Sequence, residues 1–168
     1  MDIQIRHATT ADASSIQAFL SELWAESLDA IYSRPAPHSL DEVEAFIKKI
    51  DETPNSASLV ALTDGRVIGF LDLHGSGHEQ MRHSVGFGIR IAESYRGLGV
   101  GKALMTEMLS YAKSIGWIKR IELQVFEGNA PAIRLYESFG FEEEGRRRSA
   151  AMIKGRPVDV ILMSLMLE

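Results

Sequence analysis

The stretch from Ser84 to Ile115 changes its period part-way, and that change limits what the chain can fold into. Val85, Phe87, Ile89 and Ile91 alternate on one side of Ser84 to Ile91, while Gly86 and Gly88 leave the other side thin. A period of two is the signature of a β-strand. From Val100 to about Ile115 the pattern is that of a helix with an apolar face. The junction, Tyr95-Arg96-Gly97-Leu98-Gly99-Val100-Gly101-Lys102, is rich in glycine. Glycines there let the backbone adopt positive φ and approach a ligand closely, so that successive N–H groups can point at an anion. The helix start adds about half a positive charge and further free donors. Arg96 can add a bidentate contact and Lys102 a point charge. The same glycines could instead serve only a tight turn and close helix packing.

Spacing separates the phosphate loops that share this physics. A Walker loop needs Gly at 96 and Ser or Thr at 103, where this chain has Arg96 and Ala103. A dinucleotide fingerprint starting at Gly97 needs a third glycine at 102, where Lys102 stands. The pattern that fits is Arg-x-x-Gly-x-Gly, at Arg96, Gly99 and Gly101.

Around this junction the chain reads as alternating helices and strands. Ile3 to His7 is a short strand, and Thr9 to Asp12 can cap a helix running to about Ser27. Ile31 to Ser39, with Pro35 and Pro37, is a break. A second helix, Leu40 to Ile50, places Val43, Phe46, Ile47 and Ile50 on one face. Leu59 to Thr63 and Val67 to Leu73 form a hairpin about Asp64-Gly65. Ile121 to Phe126 is a strand and Ala130 to Phe139 a short helix. Gly145 to Leu167 forms a final hairpin turning at Lys154 to Pro157. The order implies a mixed sheet with helices on its faces, an α/β (α+β) fold in one domain spanning residues 1–168.

Composition sets outer limits. Eighteen Lys and Arg against 23 Asp and Glu give a net charge of −5, which argues against nucleic acid as a partner. Arg146-Arg147-Arg148 reads as a solvated strand edge, Glu142-Glu143-Glu144 as solvent-facing carboxylates, and Met81, Met105, Met108, Met152, Met163 and Met166 as core filler. With no cysteine there is no disulfide, thiolate metal site or cysteine nucleophile. The five histidines lack zinc-ligand spacing, so no metal is expected. No apolar run approaches the roughly 20 residues a bilayer requires, and the N-terminus does not read as a signal peptide. The expectation is a cytoplasmic protein without a membrane partner, with a homodimer left open.

The Arg-x-x-Gly-x-Gly turn after Ile89-Arg90-Ile91 resembles the coenzyme A pyrophosphate loop of the GCN5-related N-acetyltransferase (GNAT) superfamily. Ile5 to Asp12 looks like that family's opening strand and helix start, and Asn129 to Phe141 is similar to its second motif. The resemblance implies about seven mostly antiparallel strands splayed in the middle, flanked by about four helices. It implies acetyl-CoA as cosubstrate, with the pyrophosphate held by Arg96, Gly97, Leu98, Gly99, Val100, Gly101 and Lys102. Pantetheine would pair with backbone groups of Ile89 and Ile91, and the Ile91 N–H would hold the oxyanion. Asn129 would hydrogen-bond the cofactor and Tyr136 would protonate the leaving thiolate, although a helix cap and a core aromatic are the plain alternatives.

The activity so implied is transfer of an acetyl group to a primary amine of a small molecule such as an amino acid or polyamine, by direct attack. A non-catalytic acyl-CoA sensor is the alternative. The family's base positions hold Val85 and Gln124, neither of which can accept the amine's proton. Glu122 and His83 are weak substitutes, and Asp72 and His74 also lie near the expected cleft; each of the four reads first as a solvated surface residue, so the base stays unassigned.

Overall fold

A computed structural model describes residues 2–26 and 36–168; Ser27, the expected end of the first helix, and residues 31–35 of the expected break from Ile31 to Ser39 lie outside the described residues. Seven strands form one sheet: β1 (Gln4–His7), β2 (Ala57–Thr63), β3 (Arg66–Gly75), β4 (Ser84–Ile91), β5 (Arg120–Phe126), β6 (Glu142–Ile153) and β7 (Arg156–Met166). Their order is β1-β2-β3-β4-β5-β7-β6, and every neighbouring pair is antiparallel except β4 with β5. Among the described residues four α-helices flank it: α1 (Ala13–Glu26), α2 (Leu40–Glu52), α3 (Val100–Ile115) and α4 (Ala130–Ser138). This is the fold the resemblance implied.

Local chemistry explains most boundaries. Asp64 and Gly65 carry φ of 49° and 75°, and Lys154 and Gly155 carry 49° and 74°. Such paired positive φ values define the two-residue turns that match strand twist. Ser39 caps α2, accepting from the Glu42 N–H at 3.2 Å while Glu42 accepts from the Ser39 N–H at 2.8 Å. The start of α1 is less regular than its sequence suggests. Thr10–Asp12 forms a 3-10 turn before the α-helix, because Asp12 accepts from the Thr9 N–H and is gripped by Arg6 through two bonds of 2.7 and 2.8 Å.

Helices α1 and α2 cover one face of β1 to β3, burying Ile16, Phe19, Val43 and Ile47 against Val60, Leu62, Val67 and Phe70. On the other face α3 buries Val100, Leu104, Met105, Met108 and Ala112 over Leu59, Leu71, Leu73, Val85 and Ile121. Strand β2 is buried throughout, as a strand covered on both faces must be. Met105, Met108 and Met163 lie in the core, whereas Met81, Met152 and Met166 are half or more exposed. Met152 and Met166 lie on the final hairpin, where β6 is an edge strand and leaves its neighbour half covered, and Met81 lies in the short 3-10 turn before β4. Arg146–Arg148 lie on that edge and are exposed.

Candidate active site

Strands β4 and β5 pair only at Ser84↔Arg120, Val85↔Ile121 and Gly86↔Glu122, then diverge. The direction of the open backbone groups follows from the flanking ladders. The Ala92 N–H donates to Ile68 O on the β3 side, and His83 O accepts from Lys119 and Arg120 on the β5 side. Because N–H and C=O of one strand residue point the same way and alternate along the strand, Phe87, Ile89 and Ile91 aim theirs into the gap. On the far wall the Lys119 carbonyl faces β7, so Gln124 and Phe126 face the gap. Phe126 O is taken by the Asn129 N–H, and Ile91 O by Arg96 Nε at 3.1 Å. Among the described residues, no strand lies beside the N–H groups of Ile89 and Ile91.

The gap opens onto the glycine turn. Gly99 has φ +89° and is the N-cap of α3 with no side chain capping it. The first backbone bond of the helix is Ala103 N–H to Gly99 O at 3.0 Å. The N–H groups of Val100, Gly101 and Lys102 therefore face outward from a positive helix end. Among the described residues, a Cβ placed on Gly97 or Gly99 would meet nothing within 4 Å, so these glycines answer to backbone conformation. Gly101 is different: its Cβ would lie 3.0 Å from Ile91 and from Leu135, which makes it a packing glycine between β4 and α4. Arg96, Leu98 and Lys102 are exposed around the mouth.

Asn129 is the N-cap of α4, with Oδ1 accepting from the Ala132 N–H at 3.3 Å, and it remains exposed at the gap's rim. Tyr136, two turns later, is buried on the α3–α4 face. Its ring meets Phe87 edge-on at 5.8 Å and Phe141 at 6.1 Å. Its hydroxyl has no hydrogen-bond partner among the described residues, and burial pushes its pKa up to about 12. The phenol is therefore a held proton at every physiological pH.

The opposite face of the gap is polar. Asp72 on β3 is buried, accepts from Arg90 at 2.8 Å, and has an oxygen 3.3 Å from His74 Nδ1. That burial departs from the solvated surface expected of it. The signal was present in the alternation: Gly88 and Gly86 are the cross-strand partners of Asp72 and His74. Glu122 lies on the same face but its carboxylate is held by Arg120 Nε at 3.0 Å, and Arg120 also clasps Glu144. That clasp, with a bond from Ser164, holds the Glu144 carboxyl at about 2. His83 is exposed before the start of β4 and shares the parity of core-facing Val85, so it sits away from the polar face.

The Acetyltransferase (GNAT) family model matches residues 18–141. The chain belongs to the GNAT family. This GNAT chain is 33% identical over 165 residues, 97% of each chain, to an L-amino acid N-acetyltransferase of Escherichia coli. Over 129 residues, 76% of this chain and 73% of the other, it is 31% identical to a spermidine N(1)-acetyltransferase of Vibrio cholerae. A phosphinothricin acetyltransferase of Sinorhizobium meliloti, solved with acetyl-CoA, superposes with a TM-score of 0.87 at 25% identity, covering 99% of this chain and 89% of that one. The GNAT chain is thus an N-acetyltransferase. Among the described residues no helix is long and apolar enough to cross a membrane.

Proposed function

We propose that the enzyme moves the acetyl group of acetyl-CoA onto the primary amine of a small molecule, an amino acid or a polyamine, by direct attack. The observation that carries this reading is the unpaired backbone of β4 leading from an uncapped helix start into a closed apex at Gly86 and Glu122. A pantetheine arm spans about twelve bonds from phosphate oxygen to sulfur, equivalent to four extended residues or roughly 14 Å. Laid along β4 from the turn at Arg96 to Lys102, it ends beside Phe87 and Gly88. That is the level at which Tyr136 packs on Phe87.

The roles follow from this placement. The N–H groups of Val100, Gly101 and Lys102, with Arg96 swinging from Ile91 O, would hold the pyrophosphate, and Gly97, Gly99 and Leu98 shape the approach. Ile89 and Ile91 would pair with the arm as an added strand. Of their two N–H groups, that of Ile89 lies nearer the thioester level than that of Ile91 and is the better oxyanion donor. The Asn129 side-chain amide sits where it can bond the arm, and the Tyr136 hydroxyl faces the sulfur.

An amine can approach only from the polar face, because Phe87, Tyr136 and Phe141 close the other. The relatives that act on an L-amino acid and on spermidine support a small amine acceptor, and the amino acid enzyme matches over nearly the full length of both chains. The test is a panel of L-amino acids and polyamines incubated with acetyl-CoA, reading released thiol. A protein without cysteine adds no background to that signal. Thiol release with at least one amine is expected. Tight acetyl-CoA binding with no release across the panel would favour a sensor instead.

A further inference from the structure

We propose that His74 is the general base of the reaction, positioned by Asp72 over the glycine floor of β4. The inference rests on the acetyl-transfer reading above, and it fills the place that Val85 and Gln124 leave vacant. Three observations converge on it. First, His74 Nε2 lies over the apex of the gap, so that a Cβ on Gly86 would meet it at 2.7 Å. That contact is shorter than real Cβ atoms show, so with any side chain at 86 the imidazole would have to move off the apex. Second, Asp72 Oδ2 lies 3.3 Å from Nδ1, which stations the carboxylate to stabilise the imidazolium once a proton arrives. Asp72 is itself fixed by Arg90 at 2.8 Å, and a Cβ on Gly88 would lie 3.3 Å from its other oxygen. Third, Nε2 has no hydrogen-bond partner among the described residues and the ring is half exposed, so the nitrogen facing the gap is open to a substrate.

Competing groups are less suited. The Asp72 charge is compensated by Arg90, and Glu122, the cross-strand partner of Gly86, is compensated by Arg120. Among the described residues, Asp72 on β3, Arg90 on β4 and the Arg120–Glu122 pair on β5 are the charged groups on the face that His74 occupies. The thioester level, Phe87 to Gly88, lies within about one strand residue, ~3 Å, of the Gly86 apex. Tyr136 approaches that level from the core face and His74 from the polar face, so the acid and the base flank the reacting carbon.

The step balances as follows. The neutral amine attacks the thioester carbonyl carbon, forming the C–N bond and moving the carbonyl electron pair onto oxygen. His74 Nε2 takes the proton from the attacking nitrogen. The oxyanion collapses and the C–S bond breaks while the Tyr136 hydroxyl donates a hydrogen bond to the departing sulfur. The proton held on His74 then passes through water to the thiolate, leaving amide, thiol and a neutral imidazole.

The test uses the full chain and the most active amine from the panel. His74→Gln should bind acetyl-CoA with an unchanged thermal shift, while kcat/KM falls about 10²-fold near pH 7, the lower range for loss of a general base. His74→Gly should lose as much and regain activity with added imidazole. The wild-type kcat/KM profile should carry an acidic limb that stays fixed across amines of different pKa and vanishes in His74→Gln. Asp72→Asn should lower kcat/KM while leaving the acetyl-CoA thermal shift unchanged, since the imidazolium formed in the step loses its counter-charge. Gly86→Ala should lower kcat while leaving acetyl-CoA binding intact. A His74→Gln enzyme within twofold of wild type from pH 6 to 9 overturns the proposal while the transferase reading stands. A wild type that binds acetyl-CoA but acetylates no amine overturns both.

Discussion

Replacing Tyr136 by Phe should separate stability from catalysis, and the structure sets the size of both effects. The ring packs on Phe87 and Phe141, the hydroxyl has no hydrogen-bond partner among the described residues, and burial carries its pKa to about 12. Removing an unpartnered, largely buried hydroxyl while keeping the ring costs no hydrogen bond and relieves desolvation, so the free protein should gain up to about 1 kcal/mol. For a chain of this length that is a rise in Tm of zero to about 4 °C. Catalysis should respond in the opposite sense. A thiol of ordinary pKa near 8.5 lies about 3.5 pH units below the phenol, so full transfer of the proton is uphill by about 5 kcal/mol at 1.36 kcal/mol per unit. The phenol therefore acts mainly by a hydrogen bond that strengthens as the thiolate forms. Such charged hydrogen bonds contribute about 1.5–3 kcal/mol, which predicts a loss in kcat of roughly 10- to 150-fold. Calorimetry of the free protein and steady-state kinetics with a saturating amine measure the two effects. A loss of less than threefold removes Tyr136 from the chemistry. A Tm falling by several degrees would show that the hydroxyl is already satisfied, which removes the basis of the argument.

Gly99→Asp should abolish the thermal shift produced by CoA, because it places a carboxylate above the turn where N–H groups face outward; an unchanged shift would dismiss that turn as the pyrophosphate site. It should also lower the Tm of the free protein by a few degrees, since φ +89° strains any side chain. Gly101→Ala should weaken CoA binding by a packing route, as its Cβ must push aside Ile91 and Leu135 at 3.0 Å; intact affinity and Tm would show that α4 yields freely. Asp12→Asn should cost about 2 kcal/mol in urea denaturation at neutral pH. Arg6 lowers the Asp12 carboxyl from 3.8 to about 2, so this stability is complete above the unfolded pKa and disappears as pH falls through the folded one. The gap between variant and wild type should close between pH 4 and 2, and a gap that persists at pH 2 would refute the ion-pair origin.

How legible each feature was in the sequence depends on how local its cause is. The turns at Asp64-Gly65 and Lys154-Gly155 and the span of α3 were legible because backbone conformation there is decided within two to four residues. The glycine turn was legible for the same reason, since Gly99 must have positive φ whatever surrounds it. The splay of β4 from β5 was not written in either strand. Both alternate normally, and their divergence after Gly86 comes from pairing across more than thirty residues together with the close approach of Gly101 to Ile91. It entered only through resemblance to a family.

The base shows most sharply where sequence reasoning runs out. Asp72 and His74 read as surface residues because each stands alone among apolar neighbours on its own strand. Their environment is set by the β3–β4 register, which places Asp72 opposite Gly88 and His74 opposite Gly86. The intervening loop fixes that register, and a shift by one residue would turn Val85 and Phe87 toward the polar face. What the sequence did display was its counterpart, two glycines alternating with large apolar residues in a strand that has no turn to make. Glycine weakens a strand unless something needs the room above it. Here the room is taken by an imidazole and a carboxylate from the neighbouring strand. A relative carrying a larger residue at either glycine position should therefore lack the His74 arrangement and take its base from elsewhere. Crossing Gly86→Glu with His74→Ala in this chain tests that exchange. The carboxylate should restore part of the activity that His74→Ala removes, and a double variant no better than His74→Ala would show that the apex is not where the proton leaves.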